Sequence, residues 1–201
     1  MKKKNSTKQR LLAAAMEMYV RREREEINIS DLAKTAGVAR GTVYNNLGSI
    51  DDLLERVTDY LTEEMNLNLE KQFQSVSDPA KRVSYGIRLY VYRAKNEPLW
   101  GEFLCRFGME SASLQALITG PMGKDIQRGL EEKRFQFREE QFKTVIALIG
   151  SSVLTAFYLV KEGISTWTEA GADCAEFALR SLGIDQAEAA KIGSEKIPSI
   201  R

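Results

Sequence analysis

At 201 residues, with 43% apolar and 28% charged side chains, the chain has the make-up of a folded globular protein and is too apolar for a disordered one. A net charge of +1 says nothing for or against nucleic acid. The absence of histidine removes the commonest general base, the Ser–His and Cys–His nucleophile pairs and the usual zinc ligand, and Cys105 and Cys174 stand far apart outside any CxxC pattern. Neither an enzyme, a metal site, a cofactor nor a disulfide framework is expected, and a reducing cytoplasm fits best.

Apolar residues recur at i, i+3 and i+4 through most of the chain, which predicts an all-α protein. From Met1 to Arg22 seven Lys/Arg (Lys2, Lys3, Lys4, Lys8, Arg10, Arg21, Arg22) face one acid, Glu17. Such a start suits phosphate contact and equally suits a solvated terminus. Ser6 or Thr7 caps a first helix that reaches about Arg22, with Leu11, Ala14, Ala15, Met18 and Tyr19 inward. The short apolar run Leu11 to Met18 leads straight into charged residues, so no signal peptide is expected.

Ser30-Asp31 opens a short helix through Ala36, and Gly37 stops it where a left-handed residue is wanted. A second short helix, about Arg40 to Leu47, follows almost at once. Two helices crossing steeply through so short a turn need a small residue at the crossing, which is Ala33, a turn glycine, which is Gly37, and apolar plugs at Leu32, Ala36, Val38, Val43 and Leu47. The pattern is a helix-turn-helix; the plain alternative is a helical hairpin. Ser49, followed by Asp51 and Asp52, caps a long helix to about Phe73.

Ser77-Asp78-Pro79 starts a helix that ends near Asn96, and Glu97-Pro98 starts another bearing Leu99, Trp100, Phe103, Leu104 and Phe107. Gly120-Pro121 marks a break before a helix from Met122 to about Lys133. Arg138 to Glu162, Thr166 to Leu182 and Asp185 to Ser194 complete the set. Thr144 to Val160 carries no charge in 17 residues. At about 1.5 Å per residue it falls short of a hydrocarbon core, so a helix buried in protein is expected and no membrane.

The run Asp31-Leu32-Ala33, Ala36-Gly37-Val38, Arg40-Gly41-Thr42-Val43-Tyr44, then Ser49 and Asp51-Asp52-Leu53-Leu54, resembles the tetracycline-repressor (TetR) family over about residues 6–56. The resemblance implies a three-helix helix-turn-helix DNA-binding domain, 1–56, with the Arg40–Leu47 helix in the major groove, and a helical ligand-binding and dimerisation domain, 57–201. Under it Arg40 pairs with guanine, Thr42 and Asn45 reach bases or phosphate, and Tyr44 and Asn46 touch the backbone. Ser30 and Gly41 belong to the same DNA-facing set, with Thr7 and Lys8 as further phosphate contacts. Four features depart from the family pattern. Leu47 replaces a common Phe, and Ile50 replaces a phosphate-binding Lys. Glu23 and Arg24 alter the first loop, and Ile27 and Asn28 displace hydroxyl residues, which weakens the cap expected at Asp31.

In the second half Tyr85, Leu89, Tyr92, Trp100, Phe103, Leu104 and Phe107 form either an apolar ligand pocket or ordinary core. Helices 138–162 and 166–182 are the expected dimer faces. In the first, small Gly150, Ser151, Ser152 and Ala156 lie beside Ile149, Val153 and Phe157; the second has Ala172, Ala175, Phe177, Ala178 and Leu182. The alternative is a monomer core. Cys105 beside Arg106 reads as a buried thiol or a redox switch. The function expected is a homodimeric regulator, a repressor released from a palindromic operator by a small, largely apolar molecule. A ligand-independent DNA-binding or architectural protein is the alternative.

Overall fold

The structure is a computed structural model and describes residues 6–21, 27–108 and 111–197. Lys2, Lys3, Lys4, Arg22, Glu23 and Arg24, all weighed above, lie outside the described residues. Among the described residues every regular element is helical and no strand occurs. Two compact units, Met1–Glu63 and Glu64–Arg201, divide the chain.

The first unit opens with α1 (Thr7–Arg21). Ser6 Oγ accepts the Gln9 N–H and Gln9 Oε1 accepts the Ser6 N–H, at 3.3 and 2.8 Å, a reciprocal cap that satisfies two otherwise orphaned donors. Leu11, Leu12, Ala14, Ala15 and Met18 are buried against α2 (Ile29–Ala36) and α3 (Arg40–Leu47), which contribute Leu32, Ala33, Ala36, Val43 and Leu47. The cap of α2 differs from expectation. Asn28 itself is the N-cap: its Oδ1 accepts the Asp31 N–H at 2.9 Å and its Nδ2 donates to the Asp31 carboxylate at 3.0 Å. A side-chain amide supplies the acceptor that a hydroxyl would have given.

Helix α4 (Leu53–Gln72) starts three residues later than an N-cap at Ser49 predicts. Ser49 Oγ accepts the Asp51 N–H at 3.1 Å and closes a turn, the local competition with helix to which serine is prone. The division between the units falls within α4, which continues unbroken from one into the other.

The second unit is built around α5 (Pro79–Asn96), capped by Asp78, whose carboxylate accepts the Ala80 N–H at 2.9 Å. Ala80, Val83, Ser84, Ile87, Leu89 and Val91 are all buried, so α5 is enclosed rather than one-faced. Around it lie α6 (Pro98–Phe107), α8 (Pro121–Glu131), α9 (Phe142–Lys161), α10 (Trp167–Ser181) and α11 (Gln186–Ser194). A helix that the sequence did not separate, α7 (Ser111–Thr119), packs on α8 and α9. Arg134, in the loop after α8, joins Asp78 at 3.1 Å and Glu188 at 2.7 Å, tying the starts of α5 and α11 together.

Helix α9 corrects two expectations. A 3-10 turn over Glu139–Gln141 precedes it, and only one face is buried: Val145, Ile146, Ile149, Val153, Ala156 and Phe157. The opposite stripe, Thr144, Leu148, Ser152, Thr155 and Tyr158, is exposed, with Leu148 at 57% and Tyr158 at 54%. The residues named for dimer contact are therefore largely the wrong ones. Ile149, Val153, Ala156 and Phe157 on α9, and Ala175, Ala178 and Leu182 of the 166–182 segment, pack into the protomer's own core. A helix apolar all round gives no sequence sign of which face is outward. Glu139–Lys161 is long and apolar enough to cross a membrane by length and composition, at mean hydropathy 1.7.

Candidate functional site

The turn between α2 and α3 is fixed by its main chain. Gly37 adopts φ 64° and ψ 42°; its N–H donates to the Lys34 carbonyl at 3.2 Å and the Val38 N–H to the Ala33 carbonyl at 2.9 Å. This paired closure consumes the last carbonyls of α2 and needs the left-handed residue that glycine provides. From α1, Arg10 Nη2 donates to the Ala36 carbonyl at 2.8 Å. Arg10, counted above in the basic arm, is thereby committed to holding the turn. On the other side of α3, Arg56 from α4 donates to the Leu47 carbonyl and, at 3.0 Å, to the Ser49 carbonyl.

Held in this way, α3 turns Val43 and Leu47 inward and leaves Arg40, Gly41, Tyr44, Asn45 and Asn46 exposed, Tyr44 by 57%. Its N-cap, Ala39, makes no side-chain cap hydrogen bond; of the first-turn N–H groups, that of Thr42 donates to the Ala39 carbonyl at 2.9 Å. Arg40 donates to Ser30 Oγ, which brings two of the predicted contacts together. Asn46 Nδ2 donates to the Thr42 carbonyl at 2.8 Å and lies back along its own helix, while Thr42 is half-buried. Thr7 and Lys8 form the first turn of α1, Lys8 exposed and Thr7 half-buried. Ile50 is half-buried in the loop below α3. The sequence did not single out Arg10 or Arg56 as supports, and nothing local announces a guanidinium that reaches carbonyls 26 and 9 residues away.

The seven aromatic and apolar candidates of the second unit are distributed over several separate contacts. Trp100 lies between Tyr90 and Phe157, at ring distances of 5.6 and 5.9 Å, and Phe103 stacks on Phe107 at 5.0 Å. Tyr85 and Leu89 pack with Met65, Leu69 and Phe73, and the Tyr85 hydroxyl donates to Glu195 at 3.0 Å. Tyr92 meets Trp167 edge-on at 4.8 Å. Leu104 is half-buried. Arg93 lies over the Trp100 ring at 4.7 Å and pairs with Glu64 of α4 at 2.6 Å and with Glu97 at 3.1 Å.

A narrow cleft with enclosed room for about one water molecule opens elsewhere. Leu69 and Phe73 of the α4 end, Arg82, Val83 and Gly86 of α5, and Pro121, Met122 and Asp125 of α8 line it. None of the seven candidates does. Arg82 Nε donates to Asp125 Oδ1 at 2.7 Å and its Nη1 to the Phe73 carbonyl at 2.8 Å. Burial pushes the Asp125 carboxyl above the usual range, against the pull of Arg82. Burial also pushes both thiols up, Cys174 to about 12, and the neighbour of Cys105, Arg106, is bound to Glu102 at 3.0 Å rather than to the thiol.

An N-terminal helix-turn-helix unit with an exposed second helix, joined through one continuous helix to an all-helical second unit, defines a class of helical DNA-binding regulators. Residues 11–57 match the model of the bacterial regulatory proteins of the tetR family, and residues 78–195 match the tetracyclin repressor-like C-terminal domain. The chain belongs to the TetR family. It is 26% identical over 124 residues to the HTH-type transcriptional regulator EthR of Mycolicibacterium smegmatis, a match over 61% of this chain that spans about half, 53%, of that protein. Its fold is similar to that of RolR in complex with resorcinol, at TM-score 0.72 and 23% identity over 97% of this chain and 96% of that one. A putative tetR-family regulator from Shewanella sp. PV-4 is similar at TM-score 0.72 and 18% identity, over 89% and 97% of the two chains.

Proposed function

We propose that the protein is a cytoplasmic, homodimeric transcriptional repressor that binds a palindromic operator and is released from it by a small molecule held in the second unit. The observation that carries this reading is α3, braced at both ends by Arg10 and Arg56 and presenting Arg40, Tyr44 and Asn45 outward on a helix of groove-reading length. Arg40 reads guanine, Thr42 and Asn45 contact bases or phosphate, and Tyr44 and Asn46, with Ser30, Thr7, Lys8 and the Gly41 main chain, position the helix on the phosphates. The similar RolR structure holds resorcinol, which supports a small-molecule input. Dimerisation uses the exposed stripe of α9 with Phe177 of α10, because Leu148, Tyr158 and Phe177, at 54–62% exposure, are large apolar side chains left outside the protomer core that a two-fold partner would cover.

Ligand entry favours a conformation of the second unit that displaces α4 and misaligns the two heads with their half-sites. Selection of bound sequences from a random DNA pool tests the reading. A palindromic consensus, weakened by an added ligand, is expected; recovery of no preferred sequence overturns it in favour of the architectural alternative.

A further inference from the structure

Four side chains of α5, Lys81, Ser84, Tyr85 and Arg88, stand at i, i+3, i+4 and i+7 and so form one stripe along the helix. All four are directed at the end of α11 and the residue after it. Ser84 Oγ donates to the Ile192 carbonyl at 3.2 Å, and Lys81 Nζ and the Tyr85 hydroxyl donate to the two carboxylate oxygens of Glu195 at 2.9 and 3.0 Å. Arg88 Nη1 donates to the Glu195 main-chain carbonyl at 2.5 Å. Glu195 is extended, with φ −60° and ψ 145°, so the chain leaves the helix here. Two residues on, Ile197 packs against Met65 and Leu69 of α4, Phe73 directly after it, and Tyr85 and Leu89 of α5. The segment 195–197 therefore bridges the two helices, with polar bonds to α5 and one apolar side chain where α4 meets α5.

Magnitudes separate this contact from the core around it. Lys81 and Glu195 keep 37% and 34% of their side chains exposed, and an ion pair so open to water contributes little. Arg88 is buried and donates to a neutral carbonyl; burial pushes its guanidinium below its ordinary pKa, so hydration on release offsets part of what is lost. Ile197 is only half-buried, whereas Ala189 and Ile192 of α11 are fully enclosed. Releasing 195–197 thus leaves α11 in place and costs far less than unfolding. It takes a covering side chain away from the second half of α4, which is also tied to α5 by the Glu64–Arg93 pair at 2.6 Å and by Arg82 at the Phe73 carbonyl.

We propose that residues 195–197 are a strap that latches the second half of α4 to α5, and that the closed strap is the state of high operator affinity. With the strap closed α4 holds one angle, and both heads of a dimer meet a palindromic operator together; with it released α4 samples several angles and the second head is matched less often. A single head on random DNA needs no such match. The strap accordingly sets the ratio of operator to random binding rather than the affinity for phosphate. The inference rests on the operator-binding reading above and gives that reading an internal regulator.

Ile197→Asp opens the strap from its apolar end and Glu195→Ala from its polar end, both in the full chain. Hydrogen–deuterium exchange should run about tenfold faster at the amides of 65–73 while staying within about twofold of the parent in α10. Affinity for the sequence selected from the random DNA pool should fall about tenfold, as when the competent state drops to about a tenth of the population, with binding to a scrambled duplex unchanged. Ile146→Val, a core truncation on α9, controls for stability alone: it should lower Tm and leave operator affinity and exchange at 65–73 as in the parent. Unchanged exchange at 65–73, equal acceleration throughout the second unit, or an Ile146→Val variant that loses operator affinity to the same degree overturns the proposal. A parent protein that prefers a sequence which both strap variants bind at full affinity removes this inference and leaves the repressor reading standing. A parent with no preferred sequence removes the repressor reading and the operator half of this inference with it, and exchange at 65–73 then decides the latch alone.

Discussion

Two glycines in the head provide a paired test, because the same added methyl should act with opposite sign. Gly37 has φ 64°, and an added Cβ there meets nothing closer than Arg10 Nη2 at 3.7 Å. Gly37→Ala therefore causes no clash, and its cost is the left-handed backbone alone, about 1–2 kcal/mol, offset in part by about 0.4–1 kcal/mol from the stiffer unfolded chain. A net loss of about 1 kcal/mol is expected. Gly41 lies within α3, with nothing within 4 Å of its would-be Cβ, so Gly41→Ala should gain about 0.5–1 kcal/mol of helix propensity. Hydrogen–deuterium exchange at the amides of α2 and α3 reads both locally. At about 1.4 kcal/mol per tenfold, exchange through opening should run about fivefold faster in Gly37→Ala and two- to fivefold slower in Gly41→Ala. Gly37→Asn should recover part of the loss, since asparagine tolerates this conformation. If both alanine variants move exchange in the same direction, the left-handed backbone at Gly37 is not what fixes the turn. Gly41→Ala should at the same time lower operator affinity, because its methyl projects from the exposed face, so stability and affinity part company.

Tyr44→Phe should weaken binding to specific and random DNA about equally, whereas Arg40→Ala should cost about 1–3 kcal/mol at one base position; equal losses on both DNAs for Arg40→Ala would remove it from the base-reading set. Leu148→Glu combined with Phe177→Glu should convert a dimer to a folded monomer by sedimentation, and a persistent dimer would place the interface elsewhere. Glu195 accepts hydrogen bonds from Lys81 and Tyr85, and the Lys81 ammonium holds its carboxyl below the usual value of 4.5. Its contribution is present above that value and is lost as pH falls through the lowered folded pKa. Urea midpoints should accordingly show a shallower acid-side fall in Glu195→Gln than in the parent protein, and parallel curves would contradict the assignment.

The head was legible because its determinants are local. Ala33, Gly37 and the plugs at Leu32, Val43 and Leu47 lie within one short stretch, and Gly37 is a residue chosen for a backbone angle. Its supports were not legible, because Arg10 and Arg56 act on carbonyls brought near only by the fold. In the second unit, helical spacing of aromatics is the same whether they line a pocket or fill a core. Trp100 and Phe103 prove fully enclosed, while the cleft is polarised by Arg82 and Asp125, 43 residues apart and unremarkable in sequence. Asn28 shows a smaller limit: the family habit of a hydroxyl cap hid an amide that does the same work.

The continuity of α4 has a mechanical consequence. Its 20 residues contain neither proline nor glycine, so it is a stiff rod of about 30 Å. Ten degrees of tilt about the Phe73 end carries the Leu53 end through about 5 Å, more than the axial rise of one base-pair step, about 3.4 Å. Leverage of this kind turns a change of a few degrees at one end of the rod into a displacement of several ångströms at the other.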